Sequence, residues 1–551
     1  MNLSVRRPLP GLLLAALLAG CSTTPLPPPA PVQVRVLALN DYHGNLKALP
    51  NALRQPDPAN PGRTVAVPTG GVDQLATLLA QQREGQKHHV FVAAGDLVGA
   101  TPLLSSAFHD EPTIEALNLL GLEASALGNH ELDRGPAEAQ RRQNGGCHPT
   151  DGCKGPAPFA GARFQYLSAN TVVTATGKTF FPPYFIKKFG EVSVGFIGIA
   201  LKGTPSVVVP AGVAGLAFSD EADAVNRVVP ELRAQGVEAL VVLMHEGGIP
   251  TGGINDCDVS PALVEMVKRM DKAVDVVISG HTHRAYNCVI DGRVVTSAQS
   301  YGTLLTRIDL QIDPRSRDVV KAEAQNLVVK ADLPRDPKLT AFLAEYERRV
   351  GPVAGRQVTV LGAPFTTRID DNGESELGKL IADAQLAASR GAGAQIALMN
   401  QGGVRAPLGG ADKLAISYAD VFSVQPFANQ LVTMTITGAQ LKRVLERQGF
   451  EARRSTLFAS RGFSYRWDLK RPAGDRVVPE SLMLDGRAIT PEQKVRVTVN
   501  SFVADGGDNF NELRNGTDRV AGLVDVEALE QYLAANPGLK PDPAPRAMQV
   551  K

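Results

Sequence analysis

Net charge is the first thing this chain of 551 residues lacks: Lys and Arg number 57 against 56 Asp and Glu, a formal +1. No basic field is available to hold a long nucleic acid, so a polymer bound electrostatically is not expected. Cys-x-x-Cys spacing is also missing among the five cysteines, which argues against a thiolate metal site. Nor is there an internal repeat, a low-complexity block or a long hydrophobic run; the apolar stretch Gly11 to Ala19 is too short to span a bilayer stably. Aromatic residues are only 5%, so any that sit beside turn-forming residues stand out. What remains is ordinary for a soluble globular protein, with 44% apolar and 21% charged residues. The length exceeds one ordinary core, and two or more domains are expected.

The N-terminus has the layout of an export signal, with Arg6 and Arg7 ahead of the apolar stretch. The residues around the arginines do not make it a twin-arginine signal. The stretch ends at Leu18-Ala19-Gly20-Cys21, which resembles the lipobox of bacterial lipoproteins. That resemblance implies a signal over residues 1–21, a lipid on Cys21 and attachment to a membrane. Residues 22–32, rich in Thr and Pro, would be an extended tether. Ser22 in place of Asp implies sorting to the outer membrane, facing the periplasm. Four further cysteines allow three pairings, and export permits oxidation. The expected pairs are Cys147–Cys153, closing a Gly/Pro-rich loop, and Cys257–Cys288, bracketing the Gly280-His281 turn.

Short apolar runs rich in β-branched residues mark the first half: Val34 to Leu39, Val90 to Ala94, Val192 to Ile199, Leu240 to Met244 and Val274 to Ile278. Such runs predict strands buried on both faces. Helical stretches, including Gly71 to Gln82 and Ser260 to Met270, separate several of them, so the fold class is α/β. Near Ala331 the pattern changes. Asp336 to Arg349 spaces Leu339, Phe342, Leu343 and Tyr346 as a helix, expected to connect two domains. A second unit follows from about 355 to 535, with a helix at Glu376 to Ala388 and strands near Ile396 to Met399 and Val495 to Asn500. Residues 536–551, rich in Pro, are expected to form a loose tail.

Three fragments carry the chemistry: Asn40-Asp41-Tyr42-His43, Gly128-Asn129-His130-Glu131 and Gly280-His281-Thr282-His283. Gly95-Asp96 and His245 join them, and five of the nine histidines fall in this set. Catalytic side chains of α/β sheets gather at the carboxyl ends of strands, where Asp41, Asp96, His245 and His281 are expected. Carboxylate, amide and imidazole donors converging there suit a pair of divalent cations. Asp96 is placed to bridge the pair with its two oxygens. His88, His89, His109 and His148 have no partner motif.

The order Asp-x-His, Gly-Asp, Gly-Asn-His-Glu, His, Gly-His-x-His resembles the calcineurin-like metallophosphoesterases, and more narrowly the 5′-nucleotidase family with its UDP-sugar hydrolases. The likeness runs from about Val34 to Leu533. It implies a two-domain architecture: a catalytic β-sandwich flanked by helices over 33–335, a connecting helix over 336–354 and an α/β substrate domain over 355–535. It implies that one cation takes Asp41, His43, Asp96 and His283, and the second Asp96, Asn129, His245 and His281. Zn²⁺, Mn²⁺ or a similar ion fits such donors. His130 and Asp133 match the family's catalytic dyad, while Glu131 is expected to orient backbone.

In the second unit, Asn400-Gln401-Gly402-Gly403-Val404-Arg405 follows a predicted strand, and Arg405 offers a planar fork for phosphate. Phe427 and Phe502 sit beside turns, and Asp508 lies on a glycine-rich loop. By the resemblance, the two rings stack the nucleobase, Asp508 holds the sugar, and Asn400 with Arg405 contacts phosphate or substrate. The chain departs from the pattern at one place. The family carries one or two phosphate arginines shortly before Glu374-Ser375-Glu376-Leu377-Gly378; here only Arg368 is available. The expected activity is hydrolysis of 5′-nucleotides to nucleoside and phosphate, extending to UDP-sugars or nucleotide diphosphates. The alternatives are a 2′,3′-cyclic nucleotide phosphodiesterase with 3′-nucleotidase activity, and a surface lipoprotein that binds nucleotide without turnover. The expected partners are a nucleotide and a membrane, with no obligate protein partner.

Overall fold

The computed structural model describes Met1 and residues 29–56, 60, 64–451 and 455–550; Cys21 and residues 22–28 of the expected tether lie outside them. The first half is built on two six-stranded sheets. One has the strand order Val319–Val328, Leu304–Ile312, Val32–Leu39, His89–Ala93, Ala124–Ala126, Gln165–Leu167. The other runs Ala285–Ile290, Arg293–Ala298, Val274–Ser279, Ala239–Met244, Val192–Ile199, Tyr184–Phe189. Alternation along each strand decides which layer a residue joins. Val34, Val36 and Ala38 face the second sheet and share a core with Val194, Phe196, Val241 and Leu243. Leu37 and Leu39 face the other way, onto Val72, Leu75 and Leu79 of the helix Val72–Arg83 and Ile114 and Leu117 of the helix Glu111–Leu120. On the far side Val242, Met244 and Val277 pack against Val225, Val229, Leu263 and Val267 of the helices Glu221–Ala234 and Pro261–Arg269. The runs look uniformly apolar because one face meets the opposite sheet and the other meets helices.

The helix Pro337–Ala354 follows, capped by the Asp336 carboxylate, which accepts from the Leu339 amide at 2.9 Å. It carries Pro352 in its last turn. Its stripe of Leu339, Leu343, Tyr346 and Val350 is buried with the first domain's helices, and the Tyr346 hydroxyl donates to Glu115 at 2.7 Å. Beyond it lies a five-stranded sheet of order Leu457–Ala459, Ile396–Asn400, Lys494–Asn500, Gln430–Thr437, Thr517–Val524. The helix Glu376–Ser389 packs Leu377 and Ile381 with Met399 and Phe458. The helix Gly438–Leu445 packs Leu441 and Val444 with Leu398, Met434 and Val497, on the alternate residues of the strands.

The tail differs from the sequence expectation. It is not loose: Ala547–Gln549 pairs in parallel with Phe463–Trp467. Arg546 is buried, its guanidinium donating to both oxygens of Asp383 at 2.7 and 2.9 Å and to the Ala459 carbonyl at 2.8 Å. Glu374 accepts from the Arg546 and Ala547 amides. A Pro-rich segment with little apolar content is held here by a bidentate ion pair and backbone pairing, neither of which leaves a local periodic signal.

Candidate active site

The ligand-type side chains stand where strands stop. Asp41 follows Val32–Leu39, Asp96 follows His89–Ala93, Asn129 follows Ala124–Ala126, His245 follows Ala239–Met244, and His281 and His283 follow Val274–Ser279. Asp41, His43, Asp96, His281 and His283 all adopt positive φ, between 45° and 68°. Sharp turns in sparsely populated backbone regions persist only where surroundings fix them, and they aim these side chains back over the sheet edges. Glycines clear the space. A Cβ on Gly128 would meet Asp96 Oδ1 at 2.2 Å, and one on Gly99 would meet Asp133 Oδ2 at 2.7 Å.

The donors fall into two adjoining groups, Asp41–His43–His283 and Asp96–His245–His281, within each of which the ligand atoms lie within 4.8 Å of one another. His43 Nδ1 donates to the Gly99 carbonyl at 2.8 Å, and His245 Nδ1 donates to the Ala94 carbonyl at 2.8 Å. Each Nε2 is thereby turned inward. His43 Nε2 lies 3.1 Å from His283 Nε2; His245 Nε2 lies 2.9 Å from Asp96 Oδ2 and 3.2 Å from Asn129 Oδ1. Asn129 Oδ1 is also 3.1 Å from His281 Nδ1, and His283 Nε2 is 3.4 Å from Asp41 Oδ1. Buried acceptor atoms crowded together without enough protons to bridge them repel, and a divalent cation resolves that repulsion. The donor set therefore fits two such ions.

Electrostatics of the metal-free chain agree. Burial drives His43 and His283 well below the ordinary imidazole range and His281 down to about 3, so these three stay neutral and ready to ligate. Burial likewise pushes Asp41 up to about 7. For His245 burial opposes protonation, but the Asp96 carboxylate overrides it and raises the imidazole well above its usual range.

Glu131 braces this arrangement from below, accepting from the amides of Asp96, Leu97 and Gly128 at 3.1, 2.7 and 2.7 Å. His130 Nδ1 donates to Asp133 Oδ2 at 2.7 Å. Its ring lies 5.0 Å from that of His43 and 5.9 Å from that of Phe427, between the cage and the second domain.

A cavity of about 400 Å³ joins the two domains. Asp96, Asn129, His130, Asp133, His281 and His283 line one side; Asn400, Arg405, Phe427, Phe502 and Asp508 line the other. Asn400 Nδ2 donates to Asp508 Oδ2 at 2.8 Å, and Asn500 Nδ2 donates to Asn400 Oδ1 at 2.8 Å, fixing the loop at 505–508 to the strand end. A Cβ on Gly507 would collide with the end of the Phe502 ring, so glycine is needed for that ring to approach the loop. The Arg405 guanidinium sits 5.8 Å from the Phe427 ring centre, and its buried Nη2 has no hydrogen-bond partner. Arg368 is not brought in: it is exposed and lines neither this cavity nor an adjoining one of about 410 Å³ that shares Arg405 and Asp508. Tyr301, whose ring lies 5.5 Å from His283 and 5.9 Å from His43, is a neighbour of the cage that no linear motif marks.

Comparison with known proteins agrees with this geometry. Residues 34–285 match the calcineurin-like phosphoesterase family, and residues 352–515 match the 5′-nucleotidase C-terminal domain. The chain belongs to the 5′-nucleotidase family. Within it, the chain is 24% identical to the 5′-nucleotidase of Vibrio cholerae, over 95% of this chain and 94% of that one. It is 31% identical to Endonuclease YhcR of Bacillus subtilis over 94% of its own length, yet spans only 41% of that protein. Among solved structures, the 5′-nucleotidase precursor from Thermus thermophilus superposes with a TM-score of 0.77 at 26% identity, covering 94% of this chain and 99% of that one. The two disulfides form as Cys147–Cys153 and Cys257–Cys288, with Cα atoms 4.6 and 4.7 Å apart.

Proposed function

We propose that this protein is a metal-dependent 5′-nucleotidase, exported and held to a membrane by a lipid on Cys21, that releases phosphate and a nucleoside. One observation carries the reading: the paired donor groups and the Phe427–Phe502–Asp508 set open onto the same cavity. When bound, two divalent ions acidify a water and polarise phosphoryl oxygens. The chain's own groups supply the rest. Asp96 directs one carboxylate toward both donor groups, with Oδ2 2.9 Å from His245 and 3.7 Å from His43. His130, oriented by Asp133, offers Nε2 to a phosphoryl or leaving oxygen. Arg405 presents an unpartnered donor to the phosphate. Asp508 accepts a sugar hydroxyl. UDP-sugars and nucleotide diphosphates are further candidate substrates of the same cavity. Two disulfides support an oxidising compartment outside the cytoplasm.

Phosphate release from 5′-AMP, 3′-AMP, 2′,3′-cyclic AMP and UDP-glucose tests the reading. The 5′-monophosphate is expected to lead. A strong preference for 3′-AMP or the cyclic ester overturns it in favour of the phosphodiesterase alternative, and binding without turnover favours the non-catalytic one.

Two substitutions probe the roles further. Phe427→Ala and Phe502→Ala each remove a stack worth about 1–3 kcal/mol, so KM for 5′-AMP is expected to rise roughly 5- to 150-fold with kcat little changed. An unchanged KM in both would place the base elsewhere. Asp133→Asn addresses the dyad. Burial lowers the His130 imidazole, but Asp133 and Asp96 more than offset this and raise it. A raised imidazole keeps its proton to higher pH, and loses that advantage with Asp133. The alkaline limb of the pH–kcat profile, where His130 deprotonates, should therefore move to lower pH in Asp133→Asn. A limb that stays put removes His130 from the chemistry.

A further inference from the structure

Three ligand-type side chains outside the cage meet at the cavity's edge. His109 sits at φ 56°, and Asp110 after it at φ 66°, two consecutive left-handed residues that are not glycine. Asp110 fixes this bend: its Oδ1 accepts from Thr101 Oγ1 at 2.5 Å and Ser105 Oγ at 3.2 Å, and its Oδ2 from Arg142 at 3.1 Å. The bend projects His109 along the cavity wall toward the loop closed by Cys147–Cys153. That loop carries His148 and Asp151, drawn together by the Gly152 amide donating to the His148 carbonyl at 2.9 Å. His109 Nε2 lies 3.0 Å from Asp151 Oδ2, and the ligand atoms of all three residues lie within 4.8 Å of one another.

We propose that His109, His148 and Asp151 form a third cation site, mononuclear and separate from the dinuclear cage, that takes a borderline divalent ion of the Zn²⁺ class. Two imidazoles and one carboxylate are a ligand set such ions favour, with water completing the shell. In the chain without the ion, the two imidazoles stack, 3.8 Å between centres and 6° between planes. Coordination requires one ring edge to turn toward the other donors. His148 does this by rotation about its second side-chain torsion, which is broad for histidine. The turn releases the ring stack and a 3.2 Å hydrogen bond that Nδ1 accepts from the Asp151 amide. The Lys154 ammonium, 2.9 Å from Asp151 Oδ2 and 42% exposed, competes with the cation for that carboxylate and is free to swing into solvent. Occupation pins the disulfide loop to the wall of the catalytic cavity through His109. The site stands whichever ester the cage hydrolyses.

The test uses the mature protein with disulfides intact, stripped of metal, re-equilibrated at a fixed micromolar free Zn²⁺ and analysed for bound metal per chain. The wild type is expected to hold three ions and His148→Ala two, with kcat on 5′-AMP retained. Lys154→Ala removes a competing charge and should bind the third ion about fivefold tighter or more. Two ions in the wild type, or the same count in His148→Ala, overturns the proposal. A wild type that binds one ion and loses it in His148→Ala keeps this site and fails the cage instead.

Discussion

Asp96→Ala is expected to reduce turnover at least about 10³-fold, because it removes the carboxylate shared by both donor groups and with it several kcal/mol of transition-state stabilisation. Oδ2 faces His245 and His43, while Oδ1 accepts from the His130 amide at 2.9 Å, so the same side chain also sets the turn that carries the dyad. The residue has φ 51°, where alanine is less at ease than aspartate, so a folding defect must be separated from a chemical one. Asp96→Asn does this: it keeps the shape and the amide contact but loses the charge. Both variants should lose activity and bound metal, and Asp96→Asn should keep the wild-type circular dichroism. Activity within tenfold of wild type in either would mean that the two donor groups do not act as one centre.

The cage was legible because each of its fragments is local. An apolar run followed at once by Asp, Asn or His identifies a strand end bearing a ligand, and five separate fragments do this. The His130–Asp133 pair is also local, three residues apart across a single turn. The residues on the far side of the cavity were singled out through the family likeness: nothing in the neighbourhood of Phe502 alone distinguishes a ring beside Gly507 from a core ring. Long-range pairings left no trace. The strand Gln430–Thr437 of the five-stranded sheet and the returning tail depend on partners distant in sequence. His109 and His148 are 39 positions apart and come together only because a strained turn and a disulfide loop share one wall. The missing phosphate arginines are the informative departure. With Arg368 exposed, Arg405 lines the cavity beside the Phe427 ring, and Arg134 and Arg142 line it elsewhere.

Removing the metals is the second decisive manipulation, and it reads out in stability as well as rate. The inward-facing nitrogens of His43 and His283 stand 3.1 Å apart, and the Asp96 carboxylate, against the effect of burial, favours a proton on His245. Metal uptake must displace that proton, so loading should release acid in a buffer-dependent titration. Each site filled at 100 times its Kd stabilises the fold by about 2.7 kcal/mol, and two sites by about twice that. For a catalytic domain of this size, that corresponds to a fall in Tm on the order of 10 °C on chelation. Turnover should vanish with the metals and return when Zn²⁺ or Mn²⁺ is restored, with Tm rising in step. Hydrolysis that survives a strong chelator with unchanged Tm would leave the converging imidazoles without a role in metal-assisted attack on phosphorus.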